Sequence, residues 1–554
     1  MLRPTFLGYK TATGAIKVNQ YMLDIVGQNM ANVNTQGYTR QRLDINSVAF
    51  SASNMKLGTT GVIIGQGVEA KGVSQFRDSF LDLRYRMESS KAGSEYVQYE
   101  ALKDLENILD EIPKDESQGM YGLDAQFSDL LGQLQSLRPS DPVSEGVVRT
   151  SAQMLAQMLN NYSQGLETIE KQQFSYLKDG AIVDVNQISE NIAKLNKQIR
   201  ESNISGNPAL ELNDERNVLI DKLSAYLDIE VDVEPLDIGG GKTIDELVIR
   251  LKGTDIELVN RNFSNTVTIS DATDITKINI TQFEKDASGY VILDSDGKPE
   301  HAADENITST ITGGQIDGYL KFLNGKGEFA TNDDTKEYDK AFDIKGVQYY
   351  QNMLDTLANK FAGIMNELNK KPETFKADGT VDEWKEKPLL EARGGGEITA
   401  GNIKISDDWA KATDSYITNT IVKSDGDSSG AKDNILRIID SFQKSEDYTT
   451  NIDLDGNGTV EDGEKRPLFK GTFQEFFTYT STKLNLQVKS AETSYKTYAE
   501  TQFHIDYARK SMSSVDLNEE GVNLLQYSKS YNAAARLMTT LDEMLDTLIN
   551  RMGV

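Results

Sequence analysis

Residues 524–552 read LLQYSKSYNAAARLMTTLDEMLDTLINRM. Taking every third and then every fourth position gives Leu524, Tyr527, Tyr531, Ala534, Met538, Leu541, Leu545, Leu548 and Met552. That alternation lays a single apolar seam along a helix, as in a coiled coil. Only Gly553 and Val554 follow, so the seam is expected to meet another part of this chain or another copy of it. The expected partner lies at the opposite end, where Tyr9, Ala12, Ile16, Leu23, Val26, Met30 and Val33 keep the same alternation and Asn19 is the polar member of the stripe. The two ends read as halves of one coiled coil.

Composition narrows what such a chain can do. It has 554 residues, enough for several domains and a sizeable core. With 86 Asp and Glu against 58 Lys and Arg the formal charge is −28. A surface of that sign does not neutralise phosphates, so neither nucleic acid nor an anionic membrane is an expected partner. There is no cysteine, which excludes disulfides, thiolate metal sites and thiol nucleophiles. The two histidines, His301 and His504, are too few for most hydrolase triads and imidazole metal sites. No apolar run approaches the length of a membrane span, and the N-terminus lacks a basic region, an apolar core and a small-residue cleavage site. The expectation is a soluble protein with no cleaved secretion signal and no membrane insertion.

Along the chain the period changes twice. After the first helix the amide-rich text Gln28-Asn29-Met30-Ala31-Asn32-Val33-Asn34-Thr35-Gln36-Gly37-Tyr38 reads as a helix stop. Residues 58–72 are glycine-rich with Val62, Ile64 and Val68 alternating, which predicts a hairpin or extended arm. Helical text then runs from Phe76 to about Asn203. The stripes Leu155, Leu159, Tyr162, Leu166, Ile169 and Val185, Ile188, Ile192, Leu195, Ile199 predict two long antiparallel helices, with a break at Arg138-Pro139-Ser140-Asp141-Pro142 before them. From Asp228 the period becomes two, over residues 229–234, 246–251, 256–259, 265–269, 277–283 and 290–293. Helix returns near residues 311–323, and Tyr350, Leu354, Leu357, Phe361, Ile364 and Leu368 form another stripe. Residues 371 to about 475 are rich in Asp, Gly, Ser and Lys and read as loosely packed. The predicted fold class is α+β and multidomain, with paired terminal helices and a helical bundle into which mostly β middle domains are inserted. The expected division is 1–57 with 511–554 as a terminal coiled-coil assembly domain; 58–228 with 311–370 and 475–510 as a helical rod; 229–310 as a β-rich outer domain; and 371–474 as a mixed insertion.

Two motifs touch chemistry. Gly239-Gly240-Gly241-Lys242-Thr243 resembles the end of a phosphate-binding loop, but Leu236 stands where the first glycine belongs and strand-like text follows where a helix is needed. A β-turn accounts for it. The second motif is better formed. Asp453, Asp455, Asn457, Thr459, Glu461 and Glu464 hold the spacing of an EF-hand calcium loop, with Gly458 and Val460 between them and Gly456 after the third position. Calcium takes six to eight oxygens around one point, and this spacing supplies them, with an expected weak affinity of roughly 10⁻⁴ to 10⁻³ M. An acidic surface turn is the plainer reading, since Pro467 closely follows. No cofactor is required. The remaining carboxylates offer no distinguished pair for acid–base catalysis, so the chain is not expected to be an enzyme.

At this point the residues resemble a known family. Asn29-Met30-Ala31-Asn32 followed by Thr35-Gln36-Gly37-Tyr38-Thr39-Arg40-Gln41 is similar to the terminal signature of flagellar rod, hook and hook-associated axial proteins, with Asn29, Asn32, Thr35, Gly37 and Tyr38 as its motif positions. Asp78-Ser79-Phe80-Leu81 with Arg84, Asn213-Asp214-Glu215-Arg216, Gly313-Gly314-Gln315-Ile316-Asp317-Gly318 and Val515-Asp516-Leu517-Asn518-Glu519-Glu520 resemble further landmarks of the family. Its more usual Asp-x-Arg-Asp form is departed from at Asn217, and the Asp453 loop has no counterpart.

The resemblance implies a non-enzymatic structural protein of the bacterial flagellum, exported unfolded through the type III apparatus, that forms a ring at the junction of hook and filament. Implied partners are other copies of the chain, the hook protein, a second junction protein and an export chaperone; the implied location is extracellular. Until neighbours cover them, the terminal helices are then expected to be disordered. Charge agrees with pairing of the ends: residues 1–50 carry net +3 and residues 510–554 net −2. The alternatives are another axial protein, an extracellular calcium-binding adhesin built on the Asp453 loop, and, last, an enzyme.

Overall fold

Asp141 and Pro142 open the longest helical stretch of the molecule rather than merely ending the one before. In the computed structural model the Asp141 carboxylate accepts the Val143 amide and Pro142 occupies the first helical turn, where a missing N–H costs nothing. The structure describes residues 5–48, 65, 67–109, 122–138, 141–239, 242–270, 275–286, 289–295, 299–376, 380–422, 431–450 and 464–551.

Helix α4 (Pro142–Ser175) continues through a π-helical turn (Tyr176–Ala181) into α5 (Ile182–Ile204). The two antiparallel helices predicted here are therefore one unbroken rod, and the reason lies in spacing. Ile169, Gln173, Leu177, Ala181 and Val185 are all buried at steps of four. Four turns of α-helix advance only about 14.4 residues, so sixteen residues would rotate off one face. The wider π-turn absorbs the excess and returns Val185 to the core side.

Helix α1 (Thr5–Ala31) is followed by a two-stranded antiparallel ribbon, β1 (Gln41–Ser47) with β2 (Val68–Gln75). The arm expected at residues 58–72 is seen only as β2; residues 49–64 and 66 lie outside the described residues. Helices α2 (Ser79–Leu109), α3 (Leu123–Ser136) and α6 (Leu210–Tyr226) flank the rod. The β region forms a four-stranded sheet, β3 (Ile229–Gly239), β4 (Lys242–Leu251), β5 (Glu257–Asn260) and β6 (Phe263–Ser264), and a three-stranded one, β7 (Thr266–Ser270), β8 (Lys277–Phe283) and β9 (His301–Asn306). Strand β9 went unread because His301-Ala302-Ala303-Asp304-Glu305-Asn306 has no apolar alternation; its ladder to β8 holds it at the sheet edge. The strand expected at 290–293 is only two isolated bridges, Lys285 to Val291 and Leu293 to Pro299. Asn186 on α5 fixes the second sheet to the rod by donating to the Val267 carbonyl and accepting the Val267 amide, both at 2.8 Å.

Helix α7 (Gly314–Asn324) precedes the short α8 (Asn332–Glu337) and then α9 (Val347–Leu368), which buries Tyr350, Leu354, Leu357 and Phe361 of the predicted stripe, with Met365 beside them, and leaves Ile364 and Leu368 half-buried. Hairpin β10 (Lys371–Phe375) with β11 (Val381–Lys385) and the pair β12 (Leu390–Ala392) with β13 (Ile403–Ile405) lead to α10 (Asp407–Lys411) and α11 (Asp433–Ser441). A last pair, β14 (Glu446–Thr449) with β15 (Pro467–Gly471), precedes α12 (Phe473–Ser513) and α13 (Leu517–Asp546).

Residues 371–474 were expected to be loosely packed. Instead Leu389, Leu390, Trp409, Ile417, Ile435, Ile438, Phe442 and Tyr448 are buried in the same core as α4 and α9. Polar composition misled because one buried carboxylate organises the segment: Glu145 of α4 accepts the Trp409 indole N–H at 2.9 Å, the Ser415 hydroxyl at 2.6 Å and the amides of Tyr416 and Ile417. The core itself is aromatic where four elements meet, with Phe127, Phe361, Phe442 and Phe473 at centroid distances of 5.4 to 6.1 Å.

Candidate assembly site

The seam with which residues 524–552 began is met by α1 of the same chain. Helices α1 and α13 pack along each other, and a Cβ on Gly8 would sit 3.4 Å from both Leu541 methyls. Of the predicted stripe, Ala12, Val26 and Ala534 are buried, while Tyr9, Ile16, Leu23, Met30, Val33, Tyr527, Tyr531, Met538, Leu541 and Leu545 are half-buried. Leu524 stays exposed at 38%. The side chain of Leu548, and Met552 altogether, lie outside what is described. Two helices alone leave the flanks of a seam open, which explains the partial burial of so many of its members.

A second buried face of α1 was missed. Val18 is buried, and a Cβ at Gly14 would stand 2.8 Å from the Val68 carbonyl oxygen of the ribbon. Glycine is what allows strand β2 to lie directly on the helix. Thr11, Gly14 and Val18 recur at helical spacing, and that run of small residues was the available signal.

Where α1 ends, the motif residues tie the chain into a knot. The buried Asn29 side chain donates to the Gln41 carbonyl and accepts the Gln41 amide, both at 3.0 Å, so it pairs with the first residue of β1 as a neighbouring strand would. The Tyr38 hydroxyl donates to the same Asn29 oxygen at 2.9 Å. Burial, with Glu211, Asp214 and Glu520 around it, pushes that hydroxyl up to about 12. Asn32 accepts the Thr35 hydroxyl at 3.1 Å, which closes the turn. Gly37 has φ +82°, and a Cβ there would lie 2.3 Å from a Val218 methyl, so the turn requires glycine twice over.

The next three residues, left without roles in the sequence reading, carry the turn onto the rest of the molecule. Asp214 of α6 accepts the Thr39 amide at 2.9 Å and its hydroxyl at 2.7 Å; burial raises its carboxyl while those bonds and Arg77 oppose the shift. Gln41 donates to Glu211 at 3.0 Å. Arg40 donates its amide to the Ser513 carbonyl at 2.9 Å and its guanidinium to Glu519 and Glu520 at 2.7 Å each. Opposite charges of the two ends thus meet at the start of α13, where Arg40 pairs with Glu519 and Glu520. Behind the turn, Arg509 of α12 pairs with Asp221 at 2.5 Å, Asp506 at 2.9 Å and Asp82 at 3.4 Å, and Arg77 pairs with Asp82 at 2.5 Å. Burial works against the charge on Arg509, yet Asp221 and Asp506 hold its guanidinium well above the usual range. Arg216 is different: burial, with Arg86 and Arg77 near, lowers it to about 10, and its bonds go to the side-chain oxygens of Asn196 and Asn213. The landmarks at 29–41, Asp214 and 515–520 therefore meet at one place, whereas Gly313–Gly318 packs apart from it, against Ser90 and Ser94 of α2 and Tyr226 at the end of α6. Between the turn and α2, α6 and α12 lies a cleft of about 650 Å³.

The other motifs do not join it. Residues 453–463 of the calcium-loop pattern lie outside the described residues, as do Gly240 and Gly241; Lys242 begins strand β4, where a phosphate loop would begin a helix. Among the described residues no three His, Cys, Asp or Glu are grouped to hold a metal ion, and no helix is long and apolar enough to cross a membrane.

Two chain ends paired as helices, knotted to an α-rich body by backbone and carboxylate bonds, define a structural protein whose surfaces are its working parts. The model of the flagellar hook-associated protein FlgK helical domain matches residues 102–381, and that of the flagellar basal body rod FlgEFG protein C-terminal region matches 511–552. The chain belongs to the FlgK family of flagellar hook-associated proteins. It is 28% identical over 560 residues to flagellar hook-associated protein 1 of Bacillus subtilis, covering 99% of each chain. To the Salmonella typhimurium protein of the same name it is 22% identical, covering 97% of this chain and 98% of that one. A solved structure of the flagellar hook junction protein FlgK from Burkholderia pseudomallei aligns with 77% of this chain and all of its own, at 13% identity and a TM-score of 0.49.

Proposed function

We propose that the protein is a non-enzymatic subunit of the junction between flagellar hook and filament, forming a ring with copies of itself. The hook protein lies on one side and a second junction protein on the other. Its terminal pair, residues 1–57 with 511–554, is the part that enters the polymer. The observation that supports this most is the outer face of α13, where Val522 (63% exposed), Leu525 (63%), Leu537 (49%) and Met544 (51%) stand in solvent although the seam beside them is covered by α1. A soluble chain rarely leaves so much apolar surface on one helix unless another protein covers it. The chain reaches its place by type III export, without a cleaved signal and escorted by a chaperone. Electron microscopy of cells lacking the gene tests the reading: hooks without filaments, with filament subunits shed into the medium, are expected, and filaments of normal length would overturn it.

A calcium ion held by Asp453, Asp455, Asn457, Thr459, Glu461 and Glu464 belongs to the same proposal as a local stabiliser of that segment, not as the working site. Titration calorimetry on the wild-type chain and on the Asp453→Ala, Glu464→Ala double variant checks it. A calcium-dependent heat lost in the variant is expected; equal heats in both would remove the ion.

A further inference from the structure

Exposed lysines on the long helices of the body find a carboxylate one turn away on their own helix: Lys171 with Glu167, Lys194 with Glu190, Lys489 and Lys496 with Glu492, and Lys510 with Asp506. The terminal helix pair is built differently. Helix α1 carries Lys10, Lys17 and Asp24, and α13 beyond Glu520 carries Lys529, Arg536, Asp542, Glu543 and Asp546. All of these are exposed, and among the described residues the ion pairs of α13 are only those of Glu519 and Glu520 with Arg40. Asp546 accepts a hydrogen bond from Asn550 at 2.7 Å, which leaves its charge uncompensated.

Solvated charges without partners cost little, so their number alone decides nothing. Their order does. Lys10, Lys17 and Asp24 recur at steps of seven, close to two helical turns, and so form one line along α1. Lys529, Arg536 and Glu543 recur at the same step along α13, with Asp542 and Asp546 beside Glu543. The helices are antiparallel, since Gly8 lies against Leu541 while Arg40, beyond the end of α1, meets the start of α13. Followed from the free tip of the pair toward the body, α1 therefore reads positive, positive, negative, and α13 reads negative, positive, positive.

The two lines match when one is slid along the other. Measured from the level of Gly8 and Leu541 at about 1.5 Å per residue, Lys10, Lys17 and Asp24 stand about 3, 14 and 24 Å toward the body. Arg536 and Lys529 stand about 8 and 18 Å toward the body, and Asp542, Glu543 and Asp546 about 2 to 8 Å toward the tip. Moving α13 about 12 Å toward the body brings the three acids between Lys10 and Lys17 and sets Asp24 between Arg536 and Lys529. Helix α13 cannot make that shift against its own α1, to which the seam and Arg40 hold it. The α13 of a second copy can, and the apolar Leu537 and Met544 stand exposed on α13 among the same charges.

We infer that α1 of one copy lies beside α13 of the next, displaced by about 12 Å along the pair, and that the two charge lines set this register. The contact is head-to-tail, because different surfaces of the two copies meet, which is the kind that continues around a ring. This inference rests on the ring proposed above and names the surfaces by which its members recognise each other. Complementary charge at such a contact selects partner and register more than it adds affinity.

A charge swap on the full-length chain tests it, in cells lacking the wild-type gene, with the protein located by immunogold labelling of flagella. Lys10→Glu with Lys17→Glu is expected to lower the fraction of hooks that carry the protein at least about tenfold, and so is Asp542→Lys with Glu543→Lys, because each sets like charges against each other. Combining all four substitutions restores opposite signs at every contact between copies, and is expected to return labelling to within about twofold of the parent. A chain that had merely misfolded would not be rescued by two further reversals. Reversed variants that label like the parent overturn the charge lines. So does a loss that the combined variant does not repair, since the lines would then face a different protein. Failure of the ring itself is seen separately, as a parent chain that never labels the junction.

Discussion

Asn29 shows how much one amide can do at the end of a helix. Its donor and acceptor satisfy both backbone groups of Gln41, so Asn29→Ala leaves a buried N–H and C=O without partners. The expected loss is about 1 to 3 kcal/mol, read by chemical denaturation together with faster hydrogen exchange at Gln41; unchanged exchange there would contradict the role. A second residue carries a pH dependence. Asp355 on α9 accepts the Ala400 amide at 2.8 Å, and burial, with Glu397 adding to it, pushes its carboxyl up to about 6. Because the folded value lies above the unfolded one, the native state keeps a proton that the unfolded chain has lost, and stability falls as pH rises from about 4 to 6. Asp355→Asn keeps the acceptor and removes the charge. It is expected to exceed the wild type by on the order of 1 to 3 kcal/mol above pH 6, with the difference vanishing near pH 4; a constant difference across that range would contradict the assignment. Residue identities of this kind were visible in the sequence, but their partners were not, since Asn29, Gln41 and Asp214 meet only through the fold.

Among the elements, the rod from Pro142 to Ile204 is where sequence spacing and structure differ most usefully. Both stripes were legible, and the error was to place a turn between them when no residue there ends a helix. Gly180 alone is weak evidence for a break. The insertion of a π-turn is invisible to a search for a period of 3.6 but follows from four consecutive steps of four. Inserting one alanine after Gly180 adds a residue beyond what the π-turn absorbs and rotates everything after it by about 100°, turning Val185 and Ile192 off the core. The expected result is a loss of at least about 3 kcal/mol, the scale of one large core truncation, seen as a lower and broader melting transition by circular dichroism. A variant that melts like the wild type would mean that the π-turn does not set the phase. For the segment 371–474, composition pointed to loose packing because the sequence cannot show that Glu145 reaches Trp409 across more than two hundred residues.

For the whole molecule, the class of fold was legible from two changes of period, and the pairing of the ends from one alternation repeated at each terminus. The cleft, the ribbon on α1 and the Arg40 contacts were not, because each is built from segments far apart in the chain whose only shared mark is a family resemblance. The structure also changes what the seam means. It is a contact within the chain, and the apolar surface left for neighbours is the outer face of α13 together with the open flanks of the pair. Assembly should therefore depend on the pair being formed first. The most direct test replaces Ala534 and Leu541 with aspartate in the full-length chain, which separates α13 from α1 while leaving α2 to α12 untouched, and then locates the protein by immunogold labelling on flagella of cells that make only this variant. A body that melts as before, no label between hook and filament and non-motile cells are the predicted result. Normal labelling and swimming with the seam broken would contradict the claim that the paired ends are the assembly site.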